Sequence, residues 1–269
     1  MENMKKTEFS PENSLEKLPK TKFELVDIDR EVDLVYSFMK SSRWSSSFDG
    51  AYPELRLIQK ESRDKSDLMD KYKIFFQNIH ERDKELIASA QEQIRSEWEK
   101  INDAFLKTLS EHFETDFPSD KNEIIGYISA LPAYPRFLDD YSFCIGYRDI
   151  AYMIEVSAHE ILHFLWFKKC KEVFPEIERK EYESPHLFWR LSEIMDPIIL
   201  QCNPTIKELI KPKSWGYKSF NNIKIGDVSM TEYFKKIYLD SVAAGDSFEI
   251  TLKKLWEEAQ KHEEEISKF

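Results

Sequence analysis

The stretch SAHEILHFLWF, Ser157 to Phe167, sets two histidines four positions apart in an apolar run, with a glutamate directly after the first. Four residues are about one helical turn, so His159 and His163 project from the same face and both imidazoles reach one ion without backbone strain. Glu160 lies one position round from His159, placed to take a proton from a water that a metal activates. Zinc lowers the pKa of such a water towards about 7, and a neighbouring carboxylate accepts its proton during attack on a carbonyl. Around the motif, Val156, Ser157, Ala158, Ile161, Leu162, Phe164 and Leu165 are uncharged. Two histidines and a carboxylate are costly to bury among such residues unless something satisfies them. His-Glu-x-x-His on a helix is therefore a compact zinc-hydrolase half-site, and the rest of the chain must supply a third ligand.

Working outward, Asp149 is an N-cap for a helix that carries the motif to about Cys170. Before it, EIIGYISAL (Glu123 to Leu131) and YSFCIGYR (Tyr141 to Arg148) are short, rich in Ile, Tyr and Phe, and bounded by prolines and the Asp139-Asp140 turn. They read as two antiparallel strands. The second is the natural edge for pairing with an extended peptide. From about Lys65 to Phe113 apolar residues recur at steps of three, four or seven, which predicts one or two long scaffold helices. Residues 23–42 have helical spacing and 43–54 read as loop. Residues 1–22 are polar and lysine-rich, a flexible tail.

After the motif, Ser184 and Pro185 form a cap and first-turn proline for a helix from about Pro185 to Gln201. Residues 203–227, interrupted by Pro204 and Pro212, read as irregular. Two helices, about 229–243 and 248–267, close the chain. The expected division is a tail (1–22), a helical region (23–115) and a region carrying the metal motif (116–269), the last two forming one compact unit.

Of the 269 residues, 41% are hydrophobic, 14% aromatic and 33% charged, and only six are glycine. This composition excludes disorder and favours a mostly helical α+β protein. The net charge of −11 argues against nucleic acid as the main partner, because phosphate binding needs concentrated Lys and Arg. Cys144, Cys170 and Cys202 are odd in number and lack CxxC spacing, as expected of buried thiols in a reducing compartment. No uncharged run is long enough to span a bilayer. A cytoplasmic protein without a membrane partner is the expectation.

Val156 to Leu165 resembles the extended zinc-binding signature of the zincin metallopeptidases. The resemblance implies a small antiparallel or mixed sheet before the active-site helix, zinc as cofactor, and a peptide or protein substrate. A metzincin would continue with Gly and a third His, and HFLWFKKCKEVF has neither. The gluzincin branch instead takes its third ligand from a glutamate on a downstream helix, and SPHLFWRLSEIMDPIIL supplies Glu193. On a helical wheel Glu193 points away from the stripe of Leu187, Phe188, Leu191, Ile194, Met195 and Ile198, with His186 on its side. The resemblance makes Asp196 an orienting partner of a ligand histidine, although the usual aspartate stands four positions after the glutamate and here stands three. Glu183 and His186 are rival third ligands. His186, Tyr217 and Tyr233 are candidate donors to the oxyanion of a tetrahedral intermediate, with His186 taken as the catalytic one. The expected activity is a zinc metallopeptidase. Its rival is a zincin-derived regulatory or interaction protein that keeps the metal without cleaving peptides.

Overall fold

The computed structural model describes residues 18–41 and 44–268, so residues 1–17 of the expected tail lie outside it. The elements, in chain order, are β1 (Lys20–Leu25), α1 (Ile28–Lys40), α2 (Ser45–Ala51), α3 (Glu54–Glu61), α4 (Lys65–Arg82), α5 (Lys84–Glu99), α6 (Asn102–Phe113), β2 (Glu123–Ile128), β3 (Arg136–Phe137) and β4 (Ser142–Ile145). There follow α7 (Ile150–Val173), α8 (Leu187–Cys202), α9 (Pro204–Ile210), α10 (Lys218–Asn222), β5 (Lys224–Ile225), β6 (Val228–Ser229), α11 (Met230–Ala244), α12 (Phe248–Lys261) and α13 (Glu263–Ile266). The protein is predominantly helical with a small sheet, an α+β arrangement. Among the described residues no helix is long and apolar enough to cross a membrane.

These elements form two compact units, one of residues 20–100 and 123–157, the other of 101–122 and 158–268 with Leu18 and Pro19. The expected boundary near residue 115 is therefore replaced by an interleaved one. Residues 20–22 are no tail: they start β1, which lies parallel to β2 from the pair Lys20–Glu123 to the pair Leu25–Ile128.

In the first unit the sheet has the order β1-β2-β4-β3. The expected antiparallel pairing of the segments at 123 and 141 is wrong: β2 and β4 run parallel, and it is β3 that lies antiparallel to β4. The chain between β2 and β4 crosses over and spends two residues on the far side of β4, which a periodicity of two cannot reveal. β4 is consequently paired on both sides, with Cys144 also donating its N–H to the carbonyl of Pro135 at 2.8 Å. It is no edge for a peptide. Gly126 is paired with both Phe23 and Phe143, and a Cβ there would come within 2.7 Å of the Phe23 ring and 3.1 Å of Phe143. Trp98 of α5 meets Phe23 edge-on at 6.1 Å, so the row is sealed by a helix.

Three expectations for this half of the chain are corrected. Residues 43–54 contain α2 and the start of α3 instead of a plain loop. The periodic stretch 65–113 is three helices, not one or two. α4 ends at Arg82 because Asp83 leaves helical geometry, its carboxylate taking hydrogen bonds from the Tyr147 hydroxyl at 2.7 Å and from Arg148 at 2.9 Å. Residues 23–25, read as helical, belong to β1, and α1 starts only after Asp27 caps the N–H groups of Asp29 and Arg30.

In the second unit α8 and the part of α7 from Ala158 onward are the core. α7 runs as expected, with the Asp149 carboxylate accepting the N–H of Tyr152 at 3.0 Å. It is buried on nearly every side from Met153 to Cys170, as its apolar circumference requires. The Ser184-Pro185 helix start is corrected: that peptide bond is cis, His186 is the extended N-cap residue, and the helix begins at Leu187. α8 is buried from Phe188 to Gln201 without interruption, packed by α9, α11, α12 and α13, so it has no solvated face on which Glu193 could lie. The stretch 203–227 is less irregular than expected. Asn203 accepts the N–H groups of Thr205 and Ile206 at 3.1 Å and starts α9 with Pro204 in its first turn.

Candidate metal centre

Helix geometry alone brings the two histidines together: their Nε2 atoms stand 3.0 Å apart. α8 adds the carboxylate. Glu193 Oε2 lies 3.4 Å from His159 Nε2, and Glu193 Oε1 lies 3.5 Å from His163 Nε2. Glu160 Oε1 is 3.9 Å from His159 Nε2, so its carboxylate borders the same space. Asp196, one turn beyond Glu193, meets the opposite nitrogen of His159, with Oδ1 3.2 Å from Nδ1. Its other oxygen is 3.6 Å from His163 Nε2. All these residues belong to the second unit.

Ligand atoms of a four-coordinate ion with bonds of about 2.0–2.2 Å stand about 3.3–3.6 Å from one another. Glu193 meets each imidazole at that spacing, through a different carboxylate oxygen for each, and the two Nε2 atoms need to part by only a few tenths of an ångström. Two imidazole nitrogens and a carboxylate oxygen are also a donor set that suits zinc. His159, His163 and Asp196 form a second possible set, with ligand atoms within 4.8 Å of one another. In that set Asp196 has to serve the Nε2 side while its Oδ1 holds Nδ1 of His159.

Burial sharpens the electrostatics. Glu160, Glu193, Asp196 and His163 are all buried, whereas His159 keeps 23% of its side chain exposed and gives the cluster its solvent-facing edge. Burial pushes the His159 imidazole down, but Asp196, then Glu193 and Glu160, outweigh it and hold the proton affinity well above the ordinary histidine value. Three carboxylates around two imidazoles attract positive charge, whether a proton or a metal ion.

His159, Glu160, His163, Glu193 and Asp196 were all expected from the sequence, and so were some residues that the structure leaves outside. His186 is the N-cap residue of α8, with its ring 3.5 Å from Glu181, and among the described residues it makes no hydrogen bond or ion pair with His159, Glu160, His163 or Glu193. Glu183 is exposed and paired with Arg179 at 2.8 Å. The Tyr233 hydroxyl donates to Glu258 at 2.6 Å. Two supporting residues were missed. Pro197 lies four positions after Glu193 inside α8 and has no N–H to donate to the Glu193 carbonyl. Gly216, at φ +71°, packs there: a Cβ on it would come 2.9 Å from Pro197 and 3.7 Å from that carbonyl oxygen. The proline was legible in the sequence, as an interruption four residues past a candidate ligand; its glycine neighbour was not.

No family model, no curated protein and no solved structure matches this chain.

Proposed function

We propose that the protein is a zinc-dependent metallopeptidase, with His159, His163 and Glu193 as metal ligands. The observation that carries this reading is the approach of the Glu193 carboxylate to both Nε2 atoms at 3.4 and 3.5 Å, beside the buried Glu160. A zinc ion bound there would supply Lewis acidity and a water of near-neutral pKa.

The residues divide the remaining work. Asp196 Oδ1 stands 3.2 Å from His159 Nδ1, where it would accept that N–H when zinc is bound, fix the tautomer and leave the Nε2 lone pair for ligation. Stacking of the His163 ring on Phe167, with centroids 5.8 Å apart, holds the second imidazole in plane. Glu160, kept from bulk water, accepts the proton that the attacking water loses and passes it to the leaving amine. A zincin-like arrangement of the active-site helix and the glutamate helix is part of the same proposal.

Metal analysis of the purified chain and of a Glu160→Gln variant tests it. One equivalent of zinc in both, with peptide hydrolysis lost by at least about a thousandfold in the variant, is the expected result. Undiminished hydrolysis in the variant removes Glu160 from the mechanism, and a chain that takes up no zinc removes the proposal.

A further inference from the structure

Residues 175–187 connect α7 to α8, and in this charged, largely exposed stretch one side chain is buried, that of Tyr182. It closes a single turn of 3-10 helix, Arg179–Tyr182. Around it Arg179 pairs with Glu183 at 2.8 Å, Lys180 with Glu178 at 2.6 Å and His186 with Glu181 at 3.5 Å. Exposed pairs of this kind contribute little, so the turn is anchored chiefly by the ring it buries.

That ring ends a row of near-parallel rings that begins at the metal centre. His163 stacks on Phe167, one helical turn further along α7, with centroids 5.8 Å apart and planes 18° apart. Phe167 in turn stacks on Tyr182, at 4.8 Å and 26°. Phe188 of α8 meets Tyr182 at 5.7 Å, and Trp256 of α12 stands edge-on to Phe188 at 4.8 Å. Tyr182 is therefore held from two helices while it holds Phe167.

The two imidazoles are oriented by different means. Asp196 stands 3.2 Å from Nδ1 of His159, across the ring from the nitrogen that faces the cluster. At His163 the same aspartate, at 3.6 Å, and Glu193, at 3.5 Å, both approach Nε2. Such contacts attract that atom but do not fix the plane of the ring. The torsion that turns an imidazole or a phenyl ring about its Cβ–Cγ bond is broad, so the neighbours on its face set the plane. The lone pair that would bind a metal lies in that plane.

Resting on the reading of His163 as a metal ligand, we infer that Tyr182 is a positioning residue of the metal centre. It fixes the Phe167 ring and, through it, the plane of the His163 imidazole. The flat face of the phenol does this, not its hydroxyl. The connection between α7 and α8 thereby tunes a ligand nineteen positions before Tyr182 in the chain.

The test uses the full chain with ring-13C histidine, the His163 resonance being assigned from His163→Gln, together with zinc affinity from chelator competition. Y182L and Y182M remove the flat face and keep apolar bulk, and either serves should the other not fold. Y182F keeps the ring. F234L removes a buried ring of α11 that meets Tyr233 and not this row, and so reports lost packing alone. Y182L or Y182M should shift the His163 resonance in the metal-free chain and weaken zinc binding about three- to tenfold, the range of one ring pair. Y182F should match the unmutated chain in both, and F234L should leave zinc affinity within about twofold. An unmoved His163 resonance with full zinc affinity in Y182L and Y182M overturns the inference. So does a Y182F chain as impaired as Y182L, or an F234L chain that loses as much zinc. Zinc bound without peptide hydrolysis sinks the peptidase and leaves the positioning role. In a chain that takes up no zinc the metallopeptidase falls, and the metal-free resonance still decides whether Tyr182 orients His163.

Discussion

Each of the two units buries a carboxylate against an imidazole, and the two clusters differ in their balance of charge. In the first unit Glu31 is fully buried, with Oε1 accepting the Ala130 N–H at 2.7 Å and Oε2 2.7 Å from His80 Nε2. One carboxylate meets one imidazole and one peptide N–H, and the result ties α1 to α4 and to the end of β2. In the second unit three carboxylates surround two imidazoles whose Nε2 atoms face each other at 3.0 Å. The first arrangement matches one acid to one base and ties elements together; the second gathers excess negative charge around converging donors, as the proposed metal site requires. Burial of charge alone does not distinguish them, since both carry its cost.

The sharpest way to break this comparison is to remove one carboxylate from each cluster. Glu193→Ala should weaken zinc affinity by at least about 100-fold, measured by competition with a chromophoric chelator, because a ligand is lost. Glu31→Ala should leave zinc affinity within about twofold yet lower the stability of its unit by about 2–4 kcal/mol in urea unfolding, from the orphaned Ala130 N–H and the broken buried pair. If Glu31→Ala costs zinc, the two clusters are not independent.

Asp196→Asn comes next. If the aspartate orients His159 through Nδ1, zinc affinity should fall by about 10–100-fold with one equivalent still bound. If Asp196 is itself a ligand, binding should collapse as it does in Glu193→Ala. This substitution decides between the two donor sets that share the histidines.

The smallest effect concerns an imidazole without a carboxylate. His112 sits among Phe113, Tyr238 and Phe248, and burial lowers its pKa to about 4. Its folded value is depressed below the ordinary 6.5, so the unfolded chain binds the proton first as pH falls. Stability from this group is complete above about pH 6.5 and drains away towards pH 4. His112→Phe should remove about 1–2 kcal/mol of that loss, read as a flatter dependence of the unfolding midpoint on pH over the same window.

How much of this was legible beforehand follows from the range of the interactions. The helix through His159 and His163, its cap at Asp149, and the shared face of the two imidazoles depend on neighbours within four residues, and the sequence displays them directly. Glu193 and Asp196 were readable as candidates because they too sit on one helix. Their burial was not, since α8 is covered all round by α9, α11, α12 and α13, which come later in the chain. A wheel drawn on α8 alone turns Glu193 away from the apolar stripe and cannot show that other helices cover that side.

By itself, then, the sequence determined the local geometry: where α7 starts, which way its histidines point, and which few residues were candidates to join them. The tertiary structure decided everything that requires distant segments to meet. It made β2 and β4 parallel and gave β4 a partner on each side. It broke the 65–113 stretch at Asp83, which Tyr147 and Arg148 hold. It put Glu193 at both imidazoles while leaving His186 beside Glu181 and Glu183 beside Arg179. The physical reason is one of range. Backbone hydrogen bonds and side-chain spacing within a helix act over a single turn, whereas pairing and burial are set by whichever residues fold back upon it.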